Sequence, residues 1–342
     1  MKLCITGGGT GGHLMIAEAL VEAAVNEGHE AIFIGSTYGQ DQKYFAQHSS
    51  FSHVYFLETT GVVNQKGFGK LKALYKVFKA FLQARKILKQ HHIQATYSVG
   101  GFSAAAASFA TLSLFRPLFI HEQNAKIGRL NGILRPFAKS FISAYEKNCS
   151  IKGYPVKEVF RKTARVREKL ETIVFLGGSH GAKAINDLAL SVAWKLKKQD
   201  VKIIHQAGEA DLQRVKEEYE KLGIEDVELY GFTKELPSII QRADFAVSRA
   251  GASTLWELSS NGCVAFYVPY PYAAGDHQYH NAQFIVENEL GWCEREGEEL
   301  RSKFLHTIKE LHLKEKSEKL LEYNGNDVAM EMIKELEAYL NA

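Results

Sequence analysis

Two glycine clusters are the first residues whose types and spacing suggest chemistry. Gly7-Gly8-Gly9-Thr10-Gly11-Gly12-His13 follows an apolar run at residues 3–5, and Gly177-Gly178-Ser179-His180-Gly181-Ala182 follows a second at 173–176. Glycines between a strand and a helix gather backbone N–H groups around an anion, and the helix dipole adds roughly half a positive charge there. Two such loops suit substrates that carry diphosphate, the alternative for either one alone being a tight strand–helix turn. Gly7, Gly9 and Gly12 also satisfy G-x-G-x-x-G, the pattern of dinucleotide oxidoreductases, which requires a carboxylate closing the second strand. The second strand ends instead in Gly35-Ser36, and Asp41 comes late for that role, so the dehydrogenase reading ranks low.

The second half of the chain holds a denser constellation. Ser248-Arg249-Ala250-Gly251-Ala252-Ser253-Thr254-Leu255-Trp256-Glu257 reads as a strand end, a small-residue turn and a helix. Gly251, Ala252, Ser253 and Thr254 can offer N–H groups and hydroxyls to a phosphate. Glu257, one turn into the helix, can accept both hydroxyls of a ribose, or simply favour the helix N-terminus. Further on, Pro269 and Pro271 stiffen a loop, and Asp276, His277, Gln278, His280 and Asn281 crowd the next helix start. Such a cluster suits a hydroxyl-rich ligand, because each sugar hydroxyl needs both donor and acceptor; an ordinary capped, exposed loop is the alternative.

Two echoing strand–loop–helix plans position these groups. Helical patterns follow the loops at 14–25 and 184–196. Short strand-like runs lie at 31–34, 95–99 and 118–121, then at 201–205, 227–230, 245–248 and 265–268. Alternation of this kind predicts α/β architecture: two Rossmann-like doubly wound parallel-sheet domains facing a cleft. A boundary is expected near 151–166, where Gly153 and Pro155 interrupt. The tail from about Asn324 reads as a helix.

Composition narrows the class. Of 342 residues, 46% are hydrophobic and 24% charged, as in a globular chain. Cys4, Cys149, Cys263 and Cys293 are scattered without a CxxC, which argues against a disulfide frame or a zinc site and fits a reducing compartment. The start shows no leader-like segment and no run of 18 apolar residues occurs, so a protein that does not span a bilayer is expected. Net charge is +3, yet nine Lys or Arg and no Asp or Glu fall between Thr59 and His121. Within that stretch, residues 69–89 alternate basic and apolar positions at helical spacing, including Lys72, Lys76, Lys79, Phe78 and Phe81. The functional reading is a helix lying on anionic lipid; the plain one is a helix with its stripe in the core. No recognition motif supports nucleic acid.

With these residues in view, the chain resembles the GT-B glycosyltransferases, and within them the undecaprenyldiphospho-muramoylpentapeptide N-acetylglucosaminyltransferases of peptidoglycan synthesis. The resemblance rests on seven ordered stretches: 7–13, Ser98-Val99-Gly100-Gly101-Phe102, His121-Glu122-Gln123-Asn124-Ala125, 176–182, His205-Gln206-Ala207-Gly208, 248–257 and 276–281. It implies inverting transfer of N-acetylglucosamine from UDP-GlcNAc to lipid I, giving lipid II and UDP. It also implies residues 1–155 as the acceptor- and membrane-binding domain, joined by a helix at about 325–342, and 156–324 as the donor domain. His13 is the implied catalytic base, a neutral imidazole suited to accept a proton near pH 7, with Glu122 in support. Thr10, Gly11 and Gly12 are implied at the phosphate, Asn124 at the transferred sugar, and Ser179 and Gly181 at the diphosphate. Thr233 would meet uracil, Glu257 the ribose, and Gln278, Asn281 and His277 the GlcNAc hydroxyls; Arg249 and Gly251–Thr254 complete the donor site.

The sequence has no D-x-D, so no metal site and no tightly bound cofactor is implied, with a divalent cation at most stimulatory. Expected partners are UDP-GlcNAc, lipid I, anionic lipids and other cell-wall synthesis proteins, at the cytoplasmic face of a bacterial inner membrane. Three positions depart from the family pattern. Leu14-Met15-Ile16 and Ser103-Ala104-Ala105 each lack its proline, and Lys157 stands where it has arginine, leaving Arg161 as the nearest guanidinium. Competing readings are another GT-B UDP-sugar transferase, a UDP-GlcNAc epimerase, or an inactive lipid-bound scaffold.

Overall fold

The computed structural model of the chain describes residues 1–59, 68–178 and 181–342. It forms two compact units, one of residues 1–157 with 326–342 and the other of residues 158–325.

In the first unit β1 (Lys2–Thr6), β2 (Glu30–Ser36), β3 (His53–Leu57), β4 (Ala95–Ser98), β5 (Leu118–Glu122) and β6 (Ser140–Ser143) make a parallel sheet in the order β3-β2-β1-β4-β5-β6. Helices α1 (Gly11–Asn26), α2 (Asp41–Phe45), α3 (Phe68–Gln90), α4 (Ala105–Ser113) and α5 (Arg129–Leu134) connect the strands. The central strands read as continuous apolar runs because both faces are covered: Leu3, Cys4, Ile5, Ile32, Phe33 and Ile34 are all buried.

The second unit repeats the plan. Strands β7 (Thr172–Leu176), β8 (Lys202–Gln206), β9 (Glu228–Tyr230), β10 (Phe245–Ser248), β11 (Val264–Tyr267) and β12 (Trp292–Cys293) pair in parallel in the order β12-β11-β10-β7-β8-β9. Its helices are α6 (Glu158–Lys162), α7 (Lys183–Lys197), α8 (Leu212–Lys221), α9 (Leu236–Arg242), α10 (Ala252–Ser260), α11 (His277–Glu287), α12 (Leu300–Thr307) and α13 (Leu313–Tyr323). In each unit the order reverses beside the first strand, and ligands of such sheets bind outside the strand ends at that reversal. The two glycine clusters sit there.

The last helix, α14 (Val328–Asn341), returns to the first unit and packs against α1. Asp327 caps it by accepting from Met330 N at 3.0 Å. Val328, Met332, Ile333 and Leu336 are buried, each worth about 1.5–3 kcal/mol on removal from water. Tyr97 Oη donates to Met332 O at 2.6 Å, fixing the helix to the sheet.

Strands β3, β6 and β12 were not expected from the pattern. The first opens on exposed His53, the second is a four-residue edge flanked by serines, and the third is two residues long. Helix α3 divides its faces in a way the expected stripe missed. Its core side is made of Ala80, Ala84 and Leu88, which pack with Ala106, Ala107 and Ala110 of α4. Phe81 leans on that core, whereas Tyr75, Phe78 and Leu82 are 69%, 57% and 50% exposed. No helix among the described residues is long and apolar enough to cross a membrane.

Candidate active site

The loop after β1 is held by interlocking backbone. Gly8 N donates to Gly100 O at 3.1 Å, and a Cβ on Gly101 would collide with Gly8 O. Asp41, fully buried, accepts from Gly9 N at 2.5 Å and from Ser36 N at 2.9 Å. The carboxylate that a dinucleotide enzyme would offer to ribose therefore braces the glycine loop. Burial pushes the Asp41 carboxyl above its ordinary range, against the pull of these N–H donors.

Thr10 precedes α1, and Gly11, Gly12 and His13 form its first turn. Thr10 Oγ1 lies 2.9 Å from His13 Nδ1. Gln123 Nε2 approaches the same imidazole at 3.0 Å from Nε2 and 3.4 Å from Nδ1. Glu122, at the end of β5, is buried and accepts from Asn124 N at 3.1 Å, Gly128 N at 2.9 Å and Asn131 Nδ2 at 2.9 Å. Its carboxylate shapes the 123–131 loop that carries Asn124 and Gln123. Burial raises its pKa, with the three donors opposing.

Behind this loop His121 is fully buried, edge-on to the Tyr154 ring at 5.2 Å. Desolvation first, and the neighbouring His13 second, drop its pKa to about 3, so it stays neutral. Both His121 ring nitrogens, Gln123 Oε1 and Asn131 Oδ1 have no hydrogen-bond partner among the described residues. Buried polar atoms in that condition mark a pocket that water or a hydroxylated ligand would satisfy.

In the second unit Gly181 needs its left-handed φ of +75°, and a Cβ there would sit 2.6 Å from Ala207 O. Gln206 Nε2 donates to Gly178 O at 3.0 Å and to Gly231 O at 2.9 Å, tying the glycine loop to the turn before Thr233. Thr233 Oγ1 accepts from Glu235 N at 2.9 Å. Ser179 lies outside the described residues. At the β10–α10 turn, Gly251 precedes the helix and Ala252, Ser253 and Thr254 form its first turn. Ser253 Oγ donates to Glu257 Oε1 at 2.9 Å, and Glu257 is buried.

The remaining expected donor contacts are engaged with backbone. Arg249 donates to Val268 O at 3.0 Å and Pro269 O at 3.2 Å and pairs with Glu296 at 2.5 Å. Gln278 Oε1 accepts from Tyr270 N at 2.9 Å, and Asn281 Nδ2 donates to Ala250 O at 3.2 Å. His277 Nδ1 donates to Ala274 O at 2.9 Å. These residues thus brace the loops that follow β10 and β11.

Lys157 belongs to the first unit and pairs with Glu18 of α1 at 2.7 Å; Arg161 lies in α6 of the second. On α3, Lys76 is tied to Glu58 at 2.6 Å and to Tyr38 Oη at 3.2 Å, Lys79 and Phe78 are exposed, and the side chain of Lys72 lies outside the described residues. Sequence reasoning assigned no role to Asp41, Gln123, Asn131 or Gln206. Gln123 and Gln206 stand within recognised stretches, and their position beside assigned residues was the available signal.

Two Rossmann-like units, each with a glycine loop at its sheet reversal, make up the GT-B fold. Residues 3–143 match the glycosyltransferase family 28 N-terminal domain and residues 172–335 the glycosyltransferase family 28 C-terminal domain. A relative from Sulfurimonas denitrificans, a UDP-N-acetylglucosamine--N-acetylmuramyl-(pentapeptide) pyrophosphoryl-undecaprenol N-acetylglucosamine transferase, is 66% identical over 342 residues, all of both chains. The crystal structure of Acinetobacter baumannii MurG shares the fold with a TM-score of 0.78 and 23% identity, covering 98% of this chain and 99% of that one. A putative UDP-N-acetylglucosamine 2-epimerase from Listeria monocytogenes also shares it, at TM-score 0.68 and 11% identity, over 99% of this chain and 96% of the other. The chain belongs to glycosyltransferase family 28, among its N-acetylglucosamine transferases.

Proposed function

We propose that the enzyme transfers N-acetylglucosamine from UDP-GlcNAc to the muramoyl 4-hydroxyl of lipid I with inversion, giving lipid II and UDP. The observation that carries this reading is the full-length 66% identity to a transferase named for that donor and acceptor. The first-unit loop supports it with a candidate base: His13 lies in the first turn of α1, with Thr10 and Gln123 against its ring. His13 Nε2 takes the proton of the acceptor hydroxyl as its oxygen bonds to C1 of the sugar. The C1–O bond to the β-phosphate breaks, and UDP leaves with the electron pair. A positioned base of this kind contributes about 10²–10⁴-fold.

Backbone N–H groups beside Gly181 and at the start of α10 would stabilise the leaving diphosphate. Glu257 would hold the ribose, while Gln278 and Asn281 shape the sugar's surroundings. No tightly bound cofactor takes part in this scheme, and a divalent ion would act only as an accessory on the diphosphate. The exposed Tyr75, Phe78, Leu82 and Phe115, with Lys79 beside them, would rest the first unit on anionic lipid at the cytoplasmic face of the inner membrane.

The test follows UDP release from UDP-GlcNAc with and without a lipid I analogue. Release should require the acceptor, and His13→Ala should abolish it while donor binding persists. Acceptor-independent release, or epimerised sugar nucleotide, would overturn the reading.

A further inference from the structure

Thr10 stands where a helix normally receives a side-chain cap. Threonine in that position ordinarily accepts from a first-turn N–H. Here its side chain makes no cap bond, and Oγ1 turns to His13 Nδ1 at 2.9 Å. The hydroxyl is diverted from the helix to the imidazole.

The other neighbours of the ring differ in kind. Gln123 Nε2 lies within 3.4 Å of both ring nitrogens. The in-plane directions at those two nitrogens diverge, so an atom close to both sits over the face of the ring. Gln123 therefore packs against the face of the imidazole. On another side, a Cβ at Gly100 would come 3.3 Å from Nε2, and glycine keeps that atom away.

We propose that Thr10 is the positioning residue of His13: its hydroxyl accepts the Nδ1 proton and so fixes the neutral tautomer whose lone pair is on Nε2. The proposal rests on the reading of His13 as the base. Only the Nδ1–H tautomer leaves Nε2 able to accept a proton, and a base oriented by a third group is the general logic of activated sites. When Nε2 takes the acceptor's proton, the resulting imidazolium keeps its Nδ1–H bond to Thr10 Oγ1. The cap's diversion also leaves the N-terminus of α1 without a side-chain acceptor, consistent with an anionic substrate nearby.

The test combines a spectroscopic signature with kinetics on the full chain. In protein labelled with ¹⁵N-histidine, the His13 signals are assigned by their loss in His13→Gln. They should report a proton on Nδ1 in the native protein and a mixture of tautomers in Thr10→Val. Thr10→Val should lower kcat by roughly 10- to 100-fold, a part of the general-base contribution. Thr10→Ser, which keeps the hydroxyl, should restore most of the turnover. A native tautomer with the proton on Nε2, or full kcat in Thr10→Val, would overturn the proposal. Undiminished turnover in His13→Gln would instead remove the base reading beneath it, whatever the tautomer.

Discussion

The Asp41 carboxylate accepts the backbone N–H of Gly9 at 2.5 Å, across 32 residues of sequence. A Cβ on Gly8 would meet the same carboxylate at 2.5 Å, so loop and acid fit only while residue 8 is glycine. Replacing Asp41 by Asn sets an amide N–H₂ against one of two backbone donors. The expected cost is about 1–3 kcal/mol of stability, the penalty for a buried unsatisfied group. Chemical denaturation of Asp41→Asn measures it, and a variant as stable as the native protein would show that the brace is dispensable. NAD should not bind either form.

Gln206 predicts a parallel effect on the donor side. Its single amide nitrogen joins Gly178 O to Gly231 O, so it sets the spacing of two loops assigned to the nucleotide. Gln206→Leu leaves both carbonyls unsatisfied, and Gln206→Glu turns an acceptor toward them. UDP-GlcNAc affinity should fall by roughly 10-fold or more in both, on the scale of 1–3 kcal/mol for each lost partner. The glutamate variant should be the weaker binder. Titration calorimetry with UDP would refute the clamp if affinity were retained.

Much of this was legible in the chain because local rules suffice for it. Apolar runs such as Ile173–Val174–Phe175 are strands buried on both faces, and the glycines after them mark turns that only positive φ can make. What the sequence hid depends on pairings between distant residues. Asp41 looked misplaced for a ribose, and its use as a brace needs Gly9 and Ser36 in space. Arg249, Gln278 and Asn281 were expected to face the donor, and their bonds to backbone carbonyls or amides cannot be inferred from polarity alone. The small residues of α3 were overlooked because alanine carries little weight in a hydrophobic stripe, although close helix packing on α4 requires it.

The two faces of α3 make separable predictions about membranes. Phe78 and Leu82 are at least half exposed, so their replacement by Ser should change folding stability by less than about 0.5 kcal/mol. The same double variant should partition less into anionic vesicles. Lys79→Glu should weaken partitioning further, at about 1 kcal/mol per basic residue near the surface. Lys76 is a poorer probe, because its ammonium already pairs with Glu58. Vesicle sedimentation at fixed ionic strength decides it: equal partitioning of native and Phe78→Ser/Leu82→Ser protein would remove the lipid role of this face.

Acid should weaken the fold through two histidines. His121 and His205 are each held neutral by burial, with pKa values dropped to about 3. Below about 6.5 the unfolded chain protonates both, and the native state does not. The unfolded state then binds more protons, so stability falls as pH is lowered through that value and continues to fall toward 3. The slope is up to about 1.4 kcal/mol per pH unit for each histidine. Asp211, near His205, stays charged across the window because Arg214 holds its pKa at about 2. Asp41 and Glu122 act in the opposite sense, since burial raises them and the native state gains protons first as pH falls. Comparing a single histidine variant with the native protein cancels those carboxyls. His205→Gln keeps a neutral polar group beside Asn186 and Tyr219, so its stability between pH 7 and 5 should fall less steeply by about one proton's worth. Parallel urea-denaturation curves for the two proteins across that range would mean that His205 is charged in the folded state.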